Sequence, residues 1–255
     1  MPRRLIDQDR QRERRRQMLL LDRISRQSER ILAREIASTT RATVDKWEVM
    51  GQAELPPEHN RRINVRLRQM WAASIKALGG RILEQAKGTT GATELKAAPE
   101  DLFERLVQEY IITYGGEQIA EDISRTTVTQ IMAQIEAGRQ SGIGVAEIGK
   151  NIRKNAAAIG RARSAVIART ETHSAGNYGA LKSADEVGLP MVKEWISDNT
   201  PGRTREDHLD ADGQTVPKDE PFIVGGESLM FPGDPAGSAS QIINCRCSTG
   251  YLVAD

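Results

Sequence analysis

Aromatic residues are scarce: three Phe, three Trp and four Tyr make up 4% of 255 residues. A chain so poor in large rings builds its core from Leu, Ile, Val and Ala, as helical assemblies do. Cysteine is rarer still, with Cys245 and Cys247 separated by a single position near one end. Two thiols in that arrangement exclude the disulfide framework of a small secreted domain. Long apolar runs are missing as well, since none approaches the ~18 residues of a membrane helix. The run Met18 to Leu21 stops at Asp22, and the charged start from Met1 to Arg16 is not followed by a signal-type apolar segment. A soluble, cytoplasmically made protein is the expectation. Walker loops, catalytic triads and dinucleotide fingerprints are absent too. Gly142 and Gly144 follow no strand, so that pair reads as a joint between helices.

The length allows one or two domains, each able to bury a core. Residues 161–255 carry a net charge of −5 and the first 160 a net +6, so the overall +1 conceals two opposed halves. The start is the most basic stretch, with Arg3, Arg4, Arg10, Arg12, Arg14, Arg15 and Arg16 against Asp7, Asp9 and Glu13. Two readings stay open for it. Arg12, Arg14, Arg15 and Arg16 could contact DNA phosphates as a basic arm, or the stretch could be the solvated first turns of a long helix.

Helical periodicity dominates the first 158 residues. Leu21, Ser28, Leu32, Ile36, Thr39, Thr43 and Trp47 recur at three- to four-residue steps and place a helix from about Asp9 to Val49. Ile63, Leu67, Trp71, Ile75 and Leu78 mark a second from about Glu58 to Lys87, with Gly79 and Gly80 as a candidate interruption. His59, among Asn60, Arg61 and Arg62, reads as a surface residue. Residues 88–98 read as a flexible connection. A third helix runs from Pro99 to about Arg139, with a candidate break at Gly115-Gly116, and a short helix carries Ile148 and Ile152. The boundary is expected between Asn155 and Gly160, giving a helical array over 1–158 and a small mixed module over 159–255.

In the second module a helix from Gly160 to Val187 leads into period-two alternation over Val192–Ser197, which predicts a strand. Thr215-Val216, Phe222–Val224 and Arg246–Leu252 supply further strands. The fold class is therefore α+β. Rare residue types crowd between Trp195 and Cys247. His208, Cys245 and Cys247 form a candidate structural zinc site, because residues two apart on a strand face one side and the imidazole can meet them from elsewhere. Asp207, Asp210 or His173 is the candidate fourth ligand; the alternative is a pair of reduced, packed thiols. Arg169, Glu171, Asp198, Arg203, Arg205 and Asn244 read as an internal polar network serving loop backbone groups.

The run Ala168-Arg169-Thr170-Glu171-Thr172, then Trp195 with Asp198, Arg203, Arg205, His208, Asp212-Gly213, Phe222, Pro232-Gly233-Asp234 and Asn244-Cys245-Arg246-Cys247, resembles the phage Mu F-like head-morphogenesis family over roughly residues 159–252. The resemblance makes Arg169, Glu171, Trp195, Asp198, Arg205, Gly213, Asn244 and Arg246 structural-motif positions. It implies a non-enzymatic minor head protein of a tailed phage or prophage. Such a protein would be made in the host cytoplasm, reside in the virion and be associated with the portal protein, the major capsid or scaffolding protein, and packaged DNA during assembly and ejection. A second reading of the same cluster is an enzyme, either a metal-dependent nuclease or an ADP-ribosyltransferase-like protein.

Overall fold

A computed structural model describes residues 7–90, 99–200 and 202–254. Arg3, Arg4 and the connection 91–98 lie outside the described residues. Five helices come first: α1 (Asp7–Met50), α2 (His59–Thr90), α3 (Pro99–Tyr114), α4 (Gly116–Gln140) and α5 (Val145–Val187). Short elements follow: β1 (Met191–Ile196), α6 (Glu206–Asp210), β2 (Thr215–Pro217), β3 (Phe222–Val224), β4 (Glu227–Leu229), α7 (Ala239–Ile242) and β5 (Ser248–Val253). Long helices ahead of small sheets are the α+β class that composition and periodicity predict.

Two compact units interleave along the chain, one drawing on residues in 1–25, 70–114 and 169–255, the other on 26–69 and 115–168. In the second of these, Val44 and Trp47 of α1 pack with Ile131 and Ile135 of α4 and with Ile148 and Ile152 of α5. This is an all-helical core built from the periodic positions, and burying these side chains contributes about 1.5–3 kcal/mol apiece. His59 is fully buried here, its Nδ1 2.7 Å from Thr39 Oγ1. It is therefore not a surface residue. Its polar neighbours in the sequence belong to the opposite, solvated side of the turn.

α5 runs unbroken through the positions read as a boundary. Ala156, Ala157 and Ala158 are strong helix formers. Gly160 is a contact residue, because a Cβ there would come within 2.5 Å of the Ala33 carbonyl oxygen. The glycine lets α1 and α5 approach each other and does not interrupt the helix. The composition shift near residue 159 thus falls inside one helix, and α2 likewise continues through Gly79 and Gly80. At Gly115 (φ 66°) the helix does break, dividing α3 from α4 as the glycine pair predicts.

The other unit positions the site. Trp71, Tyr110, Tyr114, Tyr178 and Phe231 form a chain of tilted and edge-to-face rings with centroids 5.0–6.3 Å apart, so half of the scarce aromatics are spent in one place. β1 is the centre of a three-stranded antiparallel sheet ordered β2-β1-β5, while β3 and β4 form a separate hairpin. All six residues of β1 are buried. The period-two alternation that identified this strand therefore does not separate a wet face from a dry one. Lys193 and Glu194 are fully enclosed, and each needs a partner.

Candidate metal centre and the polar network around it

Lys193 finds its partner in the Met230 carbonyl, to which Nζ donates at 2.7 Å, and it lies over the Phe222 ring at 5.0 Å. Burial pulls this amine down to about 8. Glu194 faces Arg10 of α1, with Nε to Oε1 at 2.5 Å, and the same guanidinium donates to Asp212 Oδ1 at 3.0 Å. Asp212 also accepts the Ser197 amide at 2.8 Å. Gly213, at φ 77°, then sends its N–H back to the Trp195 carbonyl at 2.9 Å, a conformation a side chain at that position would strain.

Trp195 is fully buried and meets the His208 imidazole edge-on at 5.5 Å and Phe222 at 5.3 Å. Around it pack Ala211, Val224, Leu229, Cys245 and Cys247. His208 sits on α6, whose preceding residue Arg205 donates its guanidinium to the Ile243 carbonyl. The chain enters the cysteines through Asn244, which holds φ at 61°. Asn is among the few non-glycine residues that tolerate this region. Asn244 is fixed on both sides: its N–H donates to Thr170 Oγ1 at 3.0 Å, and its Oδ1 accepts from Arg169 at 2.8 Å.

From there Cys245 and Cys247 turn inward. Their sulfurs stand 3.7 and 3.4 Å from His208 Nδ1, and the three candidate ligand atoms all lie within 4.8 Å of one another. All three residues are buried. The cysteines occupy the extended segment before β5 and not the strand itself, yet the spacing of two still turns both toward one point. The hydrogen bond between the thiols pulls Cys245 down to about 5 and, together with burial, pushes Cys247 well above the usual thiol range. The Asp198 amide is directed at the Cys247 sulfur.

Asp207 and Asp210 are exposed. Asp207 is engaged by Gln241, and His173 contacts the Cys247 backbone, so none of the three candidate fourth ligands joins the cluster. Gln241 was not singled out by sequence, although it controls the imidazole. Its Nε2 donates to Asp207 Oδ2 at 2.8 Å, which leaves its Oε1 to face His208 Nε2 at 3.0 Å. Nε2 must therefore carry the proton, and the Nδ1 lone pair faces the two sulfurs. Gly225 makes room for this chain: a Cβ there would lie 2.4 Å from Gln241 Nε2 and 2.5 Å from Asp207 Oδ2. The signal was present in Gly225-Gly226, two residues joining β3 to β4 at φ 56° and 81°, the pattern of a two-residue hairpin turn.

The remaining motif residues diverge. Glu171 is half-buried and accepts the Trp71 indole N–H at 3.0 Å, while Arg169 goes to Asn244. Burial raises Glu171 to about 7. Arg246 is partly buried; burial and the like charges of Arg169 and Arg203 lower it, against Asp198 and Asp22. Of the basic arm, Arg12, Arg15 and Arg16 are exposed and Arg14 is half-buried. Arg10, Glu13 and Gln17 point inward: Glu13 pairs with Arg81, and Gln17 donates to the Thr249 carbonyl at 3.1 Å. The start of α1 is thus neither a free arm nor a wholly solvated helix. Its buried face is polar, which an apolar stripe search does not register. Among the described residues no helix is long and apolar enough to cross a membrane.

The family described as Phage Mu protein F like protein matches residues 129–250. Among curated proteins, the chain is 30% identical over 140 residues to an NAD(+)--arginine ADP-ribosyltransferase, EFV, of Enterococcus faecalis, covering 54% of this chain and 26% of that protein. It is 32% identical over 96 residues to the uncharacterized protein YqbB of Bacillus subtilis, covering 36% of this chain and 32% of the relative. The chain thus spans about a quarter to a third of the length of these relatives. No solved structure matches it. The motif run from Arg169 to Cys247, the geometry it builds and the match agree: residues 129–250, just under half of the chain, are similar to the Phage Mu protein F like family, and at family level this supports a phage head-morphogenesis protein.

Proposed function

We propose that this chain is a structural, non-enzymatic minor head protein of a tailed phage or prophage, resident in the virion at the portal vertex. Its partners are the portal protein, the major capsid or scaffolding protein, and packaged DNA. The observation that carries this reading is the family match over residues 129–250. The polar cluster supports it, because its groups are turned onto one another: Arg169 on Asn244, Glu171 on Trp71, Arg205 on the Ile243 carbonyl, and Arg10 on Glu194 and Asp212. Charged groups paired inside a fold shape loops; a catalytic set presents them to a substrate.

DNA contact falls to the exposed side of the α1 start. An open groove of about 870 Å³ is lined there by Arg10, Arg12, Arg14, Arg15 and Asn199, among others. Cross-linking and mass spectrometry of purified heads carrying this protein test the portal reading. Cross-links to the portal at low copy number per particle are expected; absence from particles, or a distribution following the capsid shell, overturns it.

The similarity to an arginine ADP-ribosyltransferase favours one second reading, transfer of ADP-ribose from NAD to an arginine acceptor. Arg169 and Glu171 would have to serve it, and they face different partners. Incubation with labelled NAD and an arginine-rich acceptor separates the readings. No label transfer is expected, whereas transfer abolished by Glu171→Gln with the fold retained would install the enzyme.

A further inference from the structure

The residues around Trp195 form a small module with a thin apolar core: Trp195, Ala211, Phe222, Val224, Leu229 and the two cysteines, with Val216 alongside. Modules of this kind need a staple, and a metal ion is one of the few available where no disulfide forms. We propose that Cys245 Sγ, Cys247 Sγ and His208 Nδ1 bind a structural zinc ion. This goes beyond the head-protein reading and does not rest on it.

Four observations carry the inference. The first is the geometry. With Zn–S near 2.3 Å and Zn–N near 2.05 Å, a tetrahedral ion sets S to N separations of about 3.5 Å. The sulfurs stand 3.4 and 3.7 Å from Nδ1. Both sulfur–nitrogen edges match a coordination shell before any ion is placed in it, and all three atoms lie within 4.8 Å of one another. The second is the tautomer. The Asp207 to Gln241 to His208 chain holds the proton on Nε2 and aims the Nδ1 lone pair at the sulfurs, as a metal-bound imidazole requires.

The third is charge. Both cysteines coordinate as thiolates, any thiol proton going to solvent, and the imidazole coordinates in its neutral form. Two thiolates then cancel the dication, so a buried site of zero net charge results. The fourth is the surroundings of Cys247. The Asp198 amide and the Trp195 indole N–H are both directed at its sulfur. A zinc-bound thiolate is a stronger acceptor for both donors than a thiol. The ion would tie α6 to the segment entering β5, joining residues 37 and 39 positions apart.

The test uses the full chain, purified metal-free, equilibrated with excess zinc and desalted. One zinc per chain is expected, and titration with cobalt(II) alone should give tetrahedral d–d bands with a sulfur-to-cobalt charge-transfer band. Gln241→Ala keeps every ligand and should retain one zinc while weakening it roughly 10–100-fold against a chromophoric chelator. Cys245→Ser with Cys247→Ser should abolish the charge-transfer band. Should that double variant not fold, the wild-type cobalt spectrum and the Gln241→Ala affinity decide alone. Less than a tenth of an equivalent of zinc on the folded wild type, or a cobalt spectrum without thiolate character, overturns the site. An unchanged affinity in Gln241→Ala overturns the orienting role assigned to that side chain.

Discussion

Glu171 illustrates what a single buried group contributes. Its carboxyl is enclosed with the Trp71 indole N–H as donor, and burial holds it near 7 in the folded chain. The unfolded chain releases this proton near 4.5 and the folded chain holds it to about 7. Between those values the folded state binds more protons, and stability is lost as pH rises through the window. The two buried histidines act in the opposite sense. Burial lowers His59 to about 4 and His173 to about 3, so their contribution is complete above the ordinary imidazole range and is lost as pH falls toward those values. Glu171→Gln isolates the first effect, since both histidines remain in each protein. Denaturation of the pair at pH 4.5 and 7.5 should show the variant gaining about 3 kcal/mol on the parent at the higher pH. A difference that does not change with pH would refute the buried, proton-holding carboxyl. That Glu171 lies in a motif was legible from its neighbours. That His59 is a core residue was not, because the sequence around it is polar and burial depends on what packs across from it.

At the scale of elements, α1 shows how a polar helix face can be an interior one. Arg10, Glu13, Gln17 and Leu21 follow one another at three- or four-residue steps, the spacing of a single helical face, and they contact Glu194, Arg81 and the Thr249 carbonyl. Only Leu21 of the four is apolar, so periodicity located the helix and missed its first two inward turns. Arg10→Ala leaves the enclosed Glu194 carboxylate without this cation and should cost about 3 kcal/mol in urea unfolding. Arg12→Ala, on the exposed face, should stay within about 0.5 kcal/mol of the parent. Equal effects from the two substitutions would mean that the start of α1 is not docked. The short elements were read with similar partial success. β1, β2, β3 and β5 were visible as β-branched or alternating runs. β4, α6 and α7 were not, since three to five residues carry too little pattern and α6 holds one inward side chain, His208.

For the molecule as a whole, the opposed charges of its two halves make a measurable electrostatic statement. If the exposed arginines at the start of α1 neutralise phosphates, binding to duplex DNA should weaken steeply with salt. Replacing Arg12, Arg15 and Arg16 together by Ala should then reduce the slope of log K against log salt by about 2.7. An unchanged slope would remove these residues from any DNA contact. The sequence by itself determined the helical character of the first part, the α+β class, the resemblance to the Phage Mu protein F like family and the crowding of rare residue types between Trp195 and Cys247. Those features are local, written in period, composition and rare residue types. Tertiary structure alone decided that two units interleave along the chain, that Arg10 reaches a backbone carbonyl 185 residues away, and that Gln241 and Gly225 set the proton on His208. Each of these depends on side chains brought together by packing, and a partner's distance and direction are not properties of the segment that needs it.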